Sequence, residues 1–146
     1  MIGVVQRRDS GRPEIVYGRR CPQDKIEHEV LVAEFALLFM ESALSRGAKV
    51  GRAEPDGVMV RDGRRCFVEV DNSGKMTAQQ MAAKWKRYEE VEGFILVIAL
   101  TEGRMQRLRK GAEIVKEVAL FTTFDRLRRH ECPEPWIDWY GNTLRI

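Results

Sequence analysis

The stretch from Pro55 to Asp71 constrains this chain more than any other. Gly57-Val58-Met59-Val60 and Cys66-Phe67-Val68-Glu69-Val70 are runs rich in β-branched and apolar residues, separated by Arg61-Asp62-Gly63-Arg64-Arg65. Such runs around an Asp-Gly pair predict a β-hairpin. Three carboxylates mark it: Asp56 at the entrance to the first strand, Glu69 and Asp71 near the end of the second. Side chains two apart on a strand share a face, so Glu69 and Asp71 project together while Val68 and Val70 point away. Like charges on one face repel unless something positive sits between them. A divalent metal ion is the first expectation.

With 146 residues, of which 44% are apolar, the chain is long enough for one domain with its own core. Its longest apolar run, Phe94 to Leu100, is too short to span a bilayer and reads as a buried strand. The start Met1-Ile2-Gly3-Val4-Val5 leads straight into charged residues, unlike a signal peptide. Cys21, Cys66 and Cys132 are scattered, and only two histidines occur, which argues for a reduced, cytoplasmic setting and against zinc. No membrane partner is expected.

The net charge is only +3, but arginine is clustered. One cluster begins with Arg7 and Arg8, a second holds Arg104, Arg107, Arg109 and Lys110, and a third holds Arg126, Arg128 and Arg129. Guanidinium groups bind phosphate with bidentate geometry, so these clusters suit a nucleic acid as well as they suit solvated helix faces.

In chain order, residues 2 to 18 predict a hairpin and Gly18 to Gln23 a linker. A helix follows from Asp24 to about Arg46, with Gly47 as its stop. It is apolar around most of its girth between Val30 and Met40, and Glu34 lies inside that stretch. A carboxylate there is costly without a cation or a metal; the alternative is a place at the edge of the apolar face. After Asn72-Ser73-Gly74, Thr77 and Gln80 match a capping box for a helix from Ala78 to about Val91, with Met81, Trp85 and Tyr88 as its buried stripe. The strand Phe94 to Leu100, a helix from Gly103 to Lys116 and a strand from Val118 to Thr123 complete the regular order. Trp136, Trp139 and Tyr140 sit in a tail that could pack on the core or meet a partner. The order hairpin, then α-β-β-α-β-α-β, predicts an α/β mixed sheet with helices on its faces.

Asp56, Glu69 and Glu34 offer hard oxygen ligands suited to Mg²⁺ or Mn²⁺. Such an ion polarises a phosphate and activates water, and a nearby lysine would stabilise the developing charge. Lys84 is the leading lysine because its helix can return to the strand end; Lys75, just past Asp71, is the second.

Pro55-Asp56, twelve intervening residues, then Glu69-Val70-Asp71 resembles the PD-(D/E)XK, or restriction-endonuclease-like, nuclease superfamily. Asp71 stands where that motif carries its lysine, and Lys84 fits a relocation of the lysine onto the following helix. Lys84-Trp85-Lys86-Arg87-Tyr88 is similar to the Q/K-x-x-x-Y element of some of these nucleases. His28 to Glu34, Pro55-Asp56-Gly57, Phe67 to Asp71, and Lys84 with Tyr88 together resemble the replication-relaxation family of plasmids, phages and other mobile elements. The superfamily resemblance implies an α-β-β-β-α-β core, and the replication-relaxation resemblance implies a first hairpin that corresponds to the wing of a winged helix, without the helices that precede a wing. The third strand of the core's meander is not visible between Asp71 and Thr77.

The resulting expectation is a restriction-endonuclease-like mixed sheet over residues 23–130, preceded by a wing-like hairpin and linker over 1–22 and followed by a tail over 131–146. Its activity would be Mg²⁺- or Mn²⁺-dependent DNA cleavage or processing. Asp56, Glu69 and Glu34 would hold the metal, Lys84 would face the phosphate, and Asp71 would be an auxiliary acid. Arg7, Arg8, Lys75, Lys86, Arg104 and Arg107 would contact DNA. The alternatives are an inactive DNA-binding or assembly module on the same fold, and a small oligomer such as a homodimer built through the tail aromatics. His28 reads as a structural histidine and Cys66 as a buried apolar residue.

Overall fold

Alternation and turn chemistry produce the hairpin where the sequence places it. The computed structural model describes residues 2–6, 13–17, 23–38, 44–72, 74–129 and 134–146. Strands β3 (Gly57–Arg61) and β4 (Arg64–Asp71) pair antiparallel, with Val58 opposite Phe67 and Val60 opposite Arg65. Asp62 and Gly63 both take positive φ, 49° and 74°, the pair of left-handed residues that a two-residue hairpin turn requires. From Cys66 onward β4 is buried on both faces, so it runs through the interior of the sheet.

Six strands form that sheet in the order β3-β4-β5-β6-β7-β8, where β5 is Phe94–Ala99, β6 Ala119–Thr123, β7 Trp136–Asp138 and β8 Thr143–Leu144. The pairs β4–β5 and β5–β6 are parallel, while β3, β7 and β8 pair antiparallel. Parallel neighbours need crossovers, which are supplied by α2 (Ala78–Lys86) and α3 (Glu102–Lys110). Both helices pack on one face: Met81 and Trp85 of α2 and Met105 and Leu108 of α3 share a core with Phe67, Ile95, Val97 and Phe121. On the other face, Leu31, Val32 and Phe35 of α1 (Gln23–Leu38) and Phe124 of α4 (Phe124–Arg128) pack with Val68, Val70 and Ile98. The α/β mixed sheet with helices on its faces is thus the architecture found. No described helix is long and apolar enough to cross a membrane.

Strands β1 (Ile2–Gln6) and β2 (Pro13–Tyr17) pair antiparallel as a separate two-stranded sheet. The turn between them, with Arg7 and Arg8, and the linker after it lie outside the described residues.

Three boundaries differ from the sequence reading. The first helix does not reach Arg46: Ser45 exchanges two 2.8 Å backbone hydrogen bonds with Val58, so the chain there is extended along the outer edge of β3. Helix α2 stops at Lys86, where Arg87, Tyr88 and Val91 switch to i→i−3 bonds that tighten the chain. Helix α3 ends at Lys110, and a 3₁₀ turn, Glu113–Val115, takes the remaining segment. In the tail, Trp136 is 1% exposed and β7 pairs with β6, so these residues extend the sheet.

Gly93 shows how closely the crossover returns. Its φ is 140°, and a Cβ there would stand 2.6 Å from the Arg65 carbonyl oxygen and 2.7 Å from the Phe67 ring. Only glycine lets the chain enter β5 against β4 at that distance.

Candidate metal-assisted phosphate site

Asp56 straddles Glu69 through the backbone of β4. Its own N–H donates to the Val68 carbonyl at 2.9 Å, and its carboxylate Oδ2 accepts from the Val70 N–H at 2.7 Å. The proline before it fixes an extended entry into β3. The other oxygen, Oδ1, lies 2.8 Å from His28 Nε2 on α1, so Asp56 is held from two elements at once.

Glu69 projects from near the end of β4 towards α2, and its side chain is only 5% exposed. Lys84 reaches its Oε2 with Nζ at 2.6 Å, and the Tyr88 hydroxyl donates to Oε1. The two donors are four residues apart, one turn of chain, and the tightened end of α2 keeps Tyr88 buried at 2% exposure. Asp56, Glu69, Lys84 and Tyr88 line one cavity of about 610 Å³. Lys75, Gln80 and Arg87 also face it. Gln80 was legible in the sequence only as the capping-box partner of Thr77, and Arg87 had no signal beyond its helical spacing from Lys84.

The electrostatics are coupled. Burial pushes the Glu69 carboxyl up, the Lys84 ammonium opposes this, and the negative Asp56 adds to the rise; the net shift is upward. At Asp56 burial also pushes up, but the His28 hydrogen bond and charge, the Val70 N–H and Lys84 together outweigh it, and the carboxyl is held below its ordinary range. Burial and the Glu69 charge push the Tyr88 hydroxyl far above its usual range, so it remains a donor. A divalent ion entering here would meet a carboxylate already ionised at Asp56 and would expel any proton from Glu69.

Two further acids leave the site. Asp71 shares the Glu69 face of β4, as alternation predicts, but it has its own cation: Arg104 binds it with Nε at 2.9 Å and Nη2 at 2.8 Å. Both residues are buried, at 8% and 5% exposure. A carboxylate closed by a bidentate guanidinium is a structural ion pair. Arg104, expected to contact DNA, is therefore turned into the core. Glu34, expected as a metal ligand, bonds Arg128 Nε at 2.8 Å. It sits six residues beyond His28 on α1, about 9 Å along the helix axis, on the sheet face opposite Glu69.

Among the described residues no group of three or more His, Cys, Asp or Glu side chains is arranged to hold a metal. The fit is to a smaller set, Asp56 and Glu69 on one cavity, with water and substrate oxygens completing the shell as Mg²⁺ commonly requires. Lys86 and Arg107 are exposed, and Lys75 is exposed with a 3.9 Å approach to Asp24.

The residue that sequence reasoning missed is His28. Its ring is pushed up in pKa by the hydrogen bond to Asp56, against the effect of burial, with Asp56 and Glu29 raising it and Lys84 lowering it by charge. The sign follows. The His28 contribution is full below its ordinary value of 6.5 and fades as pH rises through the raised folded value. The Asp56 contribution is full above its ordinary value of 3.8 and fades as pH falls through the lowered folded value. In the presence of a chelator, His28→Gln should therefore destabilise most between those two ordinary values, and the gap to wild type should narrow as pH rises through the raised His28 value. Urea unfolding at two pH values measures it; a gap that does not change with pH would show that the contact carries no charge.

Comparison with known proteins found no family model that matches the chain, and no curated protein or solved structure that does.

Proposed function

We propose that this cavity is the phosphodiester-cleaving centre of a DNA-processing protein that uses Mg²⁺ or Mn²⁺. One observation carries the reading: Asp56 before β3, Glu69 on β4 and Lys84 on α2 meet around one cavity, although the sequence separates them by up to 28 positions. Asp56 and Glu69 would hold the ion, which supplies charge neutralisation at phosphate and a more acidic water.

The chain's own groups have distinct tasks. His28 and the Val70 N–H fix the Asp56 carboxylate, one oxygen each. Tyr88 fixes Glu69 and stays protonated while doing so. Lys84 presents the ammonium that offsets charge building on the phosphoryl oxygens as water adds and the ester oxygen leaves with a proton. Arg87, exposed on the same cavity, supplies a guanidinium for a neighbouring phosphate. The fold order supports the same reading. If the extended segment at Ser45 is counted as a first strand, the chain runs α-β-β-β-α-β through β5, the restriction-endonuclease-like order, with Lys84 in place of the lysine that Asp71 displaces. Plasmid or phage DNA is the substrate the replication-relaxation resemblance suggests.

A second reading rests on a specific contact pattern. All four carboxylate oxygens of Asp56 and Glu69 already have partners within the protein. A site satisfied in this way could serve DNA binding without cleavage. Incubation of supercoiled plasmid with the protein and Mn²⁺ separates the two. The proposal expects relaxed or linear product that disappears with chelator, with Asp56→Asn and with Glu69→Gln. Retention of DNA that weakens steeply with salt, and no product, would favour the binding module.

A further inference from the structure

The opposite face of the sheet carries a cavity that the proposed centre does not use. It measures about 440 Å³ and lies beside the tip of the β3–β4 hairpin. Cys66, Leu96 and Leu120, from three adjacent strands, form its floor, and Leu144 closes one side. Cys66 and Leu120 are 5% and 8% exposed and Leu96 is fully buried, so the floor belongs to the apolar core. Further along the same face, α1 and α4 cover the strands with Phe35 and Phe124.

The mouth is charged. Of the side chains there, Arg61, Arg64 and Arg145 stand against one acidic one, Asp62. The Arg64 guanidinium lies over the Phe94 ring, 5.5 Å from its centre. Neither Arg64 nor Arg145 has an acidic partner among the described residues, and both are exposed. An apolar chamber of this size with a few convergent polar groups at its mouth has the form of a small-molecule site. Its lining rewards a hydrocarbon body, and its rim rewards a planar or tetrahedral oxyanion that two guanidinium groups can grip.

We propose that this cavity binds an amphipathic anion: an aliphatic chain of medium length ended by a carboxylate or a phosphate ester. The tail lies on Cys66, Leu96 and Leu120, and the headgroup meets Arg64 and Arg145. A neutral chain loses the ionic contacts, and a cationic one meets repulsion. The site stands independently of the phosphodiester centre, since it uses the other face of β4.

Calorimetry below micelle-forming concentrations tests it with octanoate, decanoate, decyl phosphate, decanol and decyltrimethylammonium. The expected result is saturable binding of one decanoate or one decyl phosphate, with affinity rising about fourfold per added methylene. Decanol should bind at least about tenfold more weakly, as the loss of one charge-assisted contact implies, and decyltrimethylammonium should not bind. Arg64→Glu with Arg145→Glu should lower decanoate affinity by at least the same factor at an unchanged melting temperature, since both side chains are exposed. Bound decanoate should also slow alkylation of Cys66, followed on its own peptide by mass spectrometry. Absence of saturable binding, equal binding of decanol or the cation, no effect of the double substitution, or unchanged Cys66 labelling would each overturn the proposal.

Discussion

Replacing Arg104 with alanine is expected to destabilise the protein by about 3–5 kcal/mol, the usual cost of stranding one member of a buried ion pair. The pair is well placed for such a loss. Asp71 is 8% exposed, and both of its oxygens accept from the guanidinium at 2.9 and 2.8 Å. Without Arg104 the carboxylate faces the core between β4 and α3 with no cation beside it. Asp71→Ala should cost a similar amount by leaving the guanidinium buried, while Asp71→Leu combined with Arg104→Met should recover most of the loss, because an apolar pair of similar volume has no desolvation to offset. Asp71→Lys should be the worst of the set, since it places two cations in contact. Urea unfolding of the four variants checks the order. An Arg104→Ala protein within about 1 kcal/mol of wild type, the range of surface ion pairs, would show that the pair is open to water.

The second large effect falls on the proposed phosphodiester cleavage. Glu69→Gln keeps the shape of the side chain and an oxygen for Tyr88, and it removes a buried charge, so the fold should change by less than about 1 kcal/mol. Lys84 is 27% exposed and can turn to water when its partner is neutral. Cleavage of plasmid should nevertheless fall by at least about a hundredfold, because several kcal/mol of charge stabilisation at the phosphate depends on an ion that the amide holds poorly. Asp56→Asn should fall as far. Single-turnover rates at a Mn²⁺ concentration that saturates the wild-type protein make the comparison, and urea unfolding confirms that the variants are folded. Undiminished cutting by Glu69→Gln would remove Glu69 from the chemistry.

What could be read from the chain, and what could not, divides by sequence distance. The β3–β4 hairpin followed from alternation and one Asp-Gly pair, and α2 from its capping box, which Thr77 and Gln80 form in both directions. Lys84 was legible because a helix directly after β4 must return along it. The acids at Asp71 and Glu34 were visible as acids, but their cations were not: Arg104 is 33 positions from Asp71, and Arg128 is 94 from Glu34. Those pairings depend on how α3 and α4 settle on the sheet, which no local pattern encodes. The same holds for His28, 28 positions from Asp56. The end of α1 was misjudged for a related reason, since the Ser45–Val58 bonds that keep that segment extended come from the far side of a loop. Trp136 looked like a tail residue because a strand of three residues is too short to show a period.

The central claim is that Asp56 and Glu69 together hold a divalent ion beside Lys84. Calorimetric titration of the purified protein with Mn²⁺ tests it most directly, alongside Asp56→Asn, Glu69→Gln and Glu34→Gln. One saturable site is expected that either of the first two substitutions abolishes and that Glu34→Gln leaves intact, because Glu34 is engaged with Arg128 on the other face of the sheet. Mn²⁺ binding that survives both Asp56→Asn and Glu69→Gln, or no binding by the wild-type protein, would contradict it.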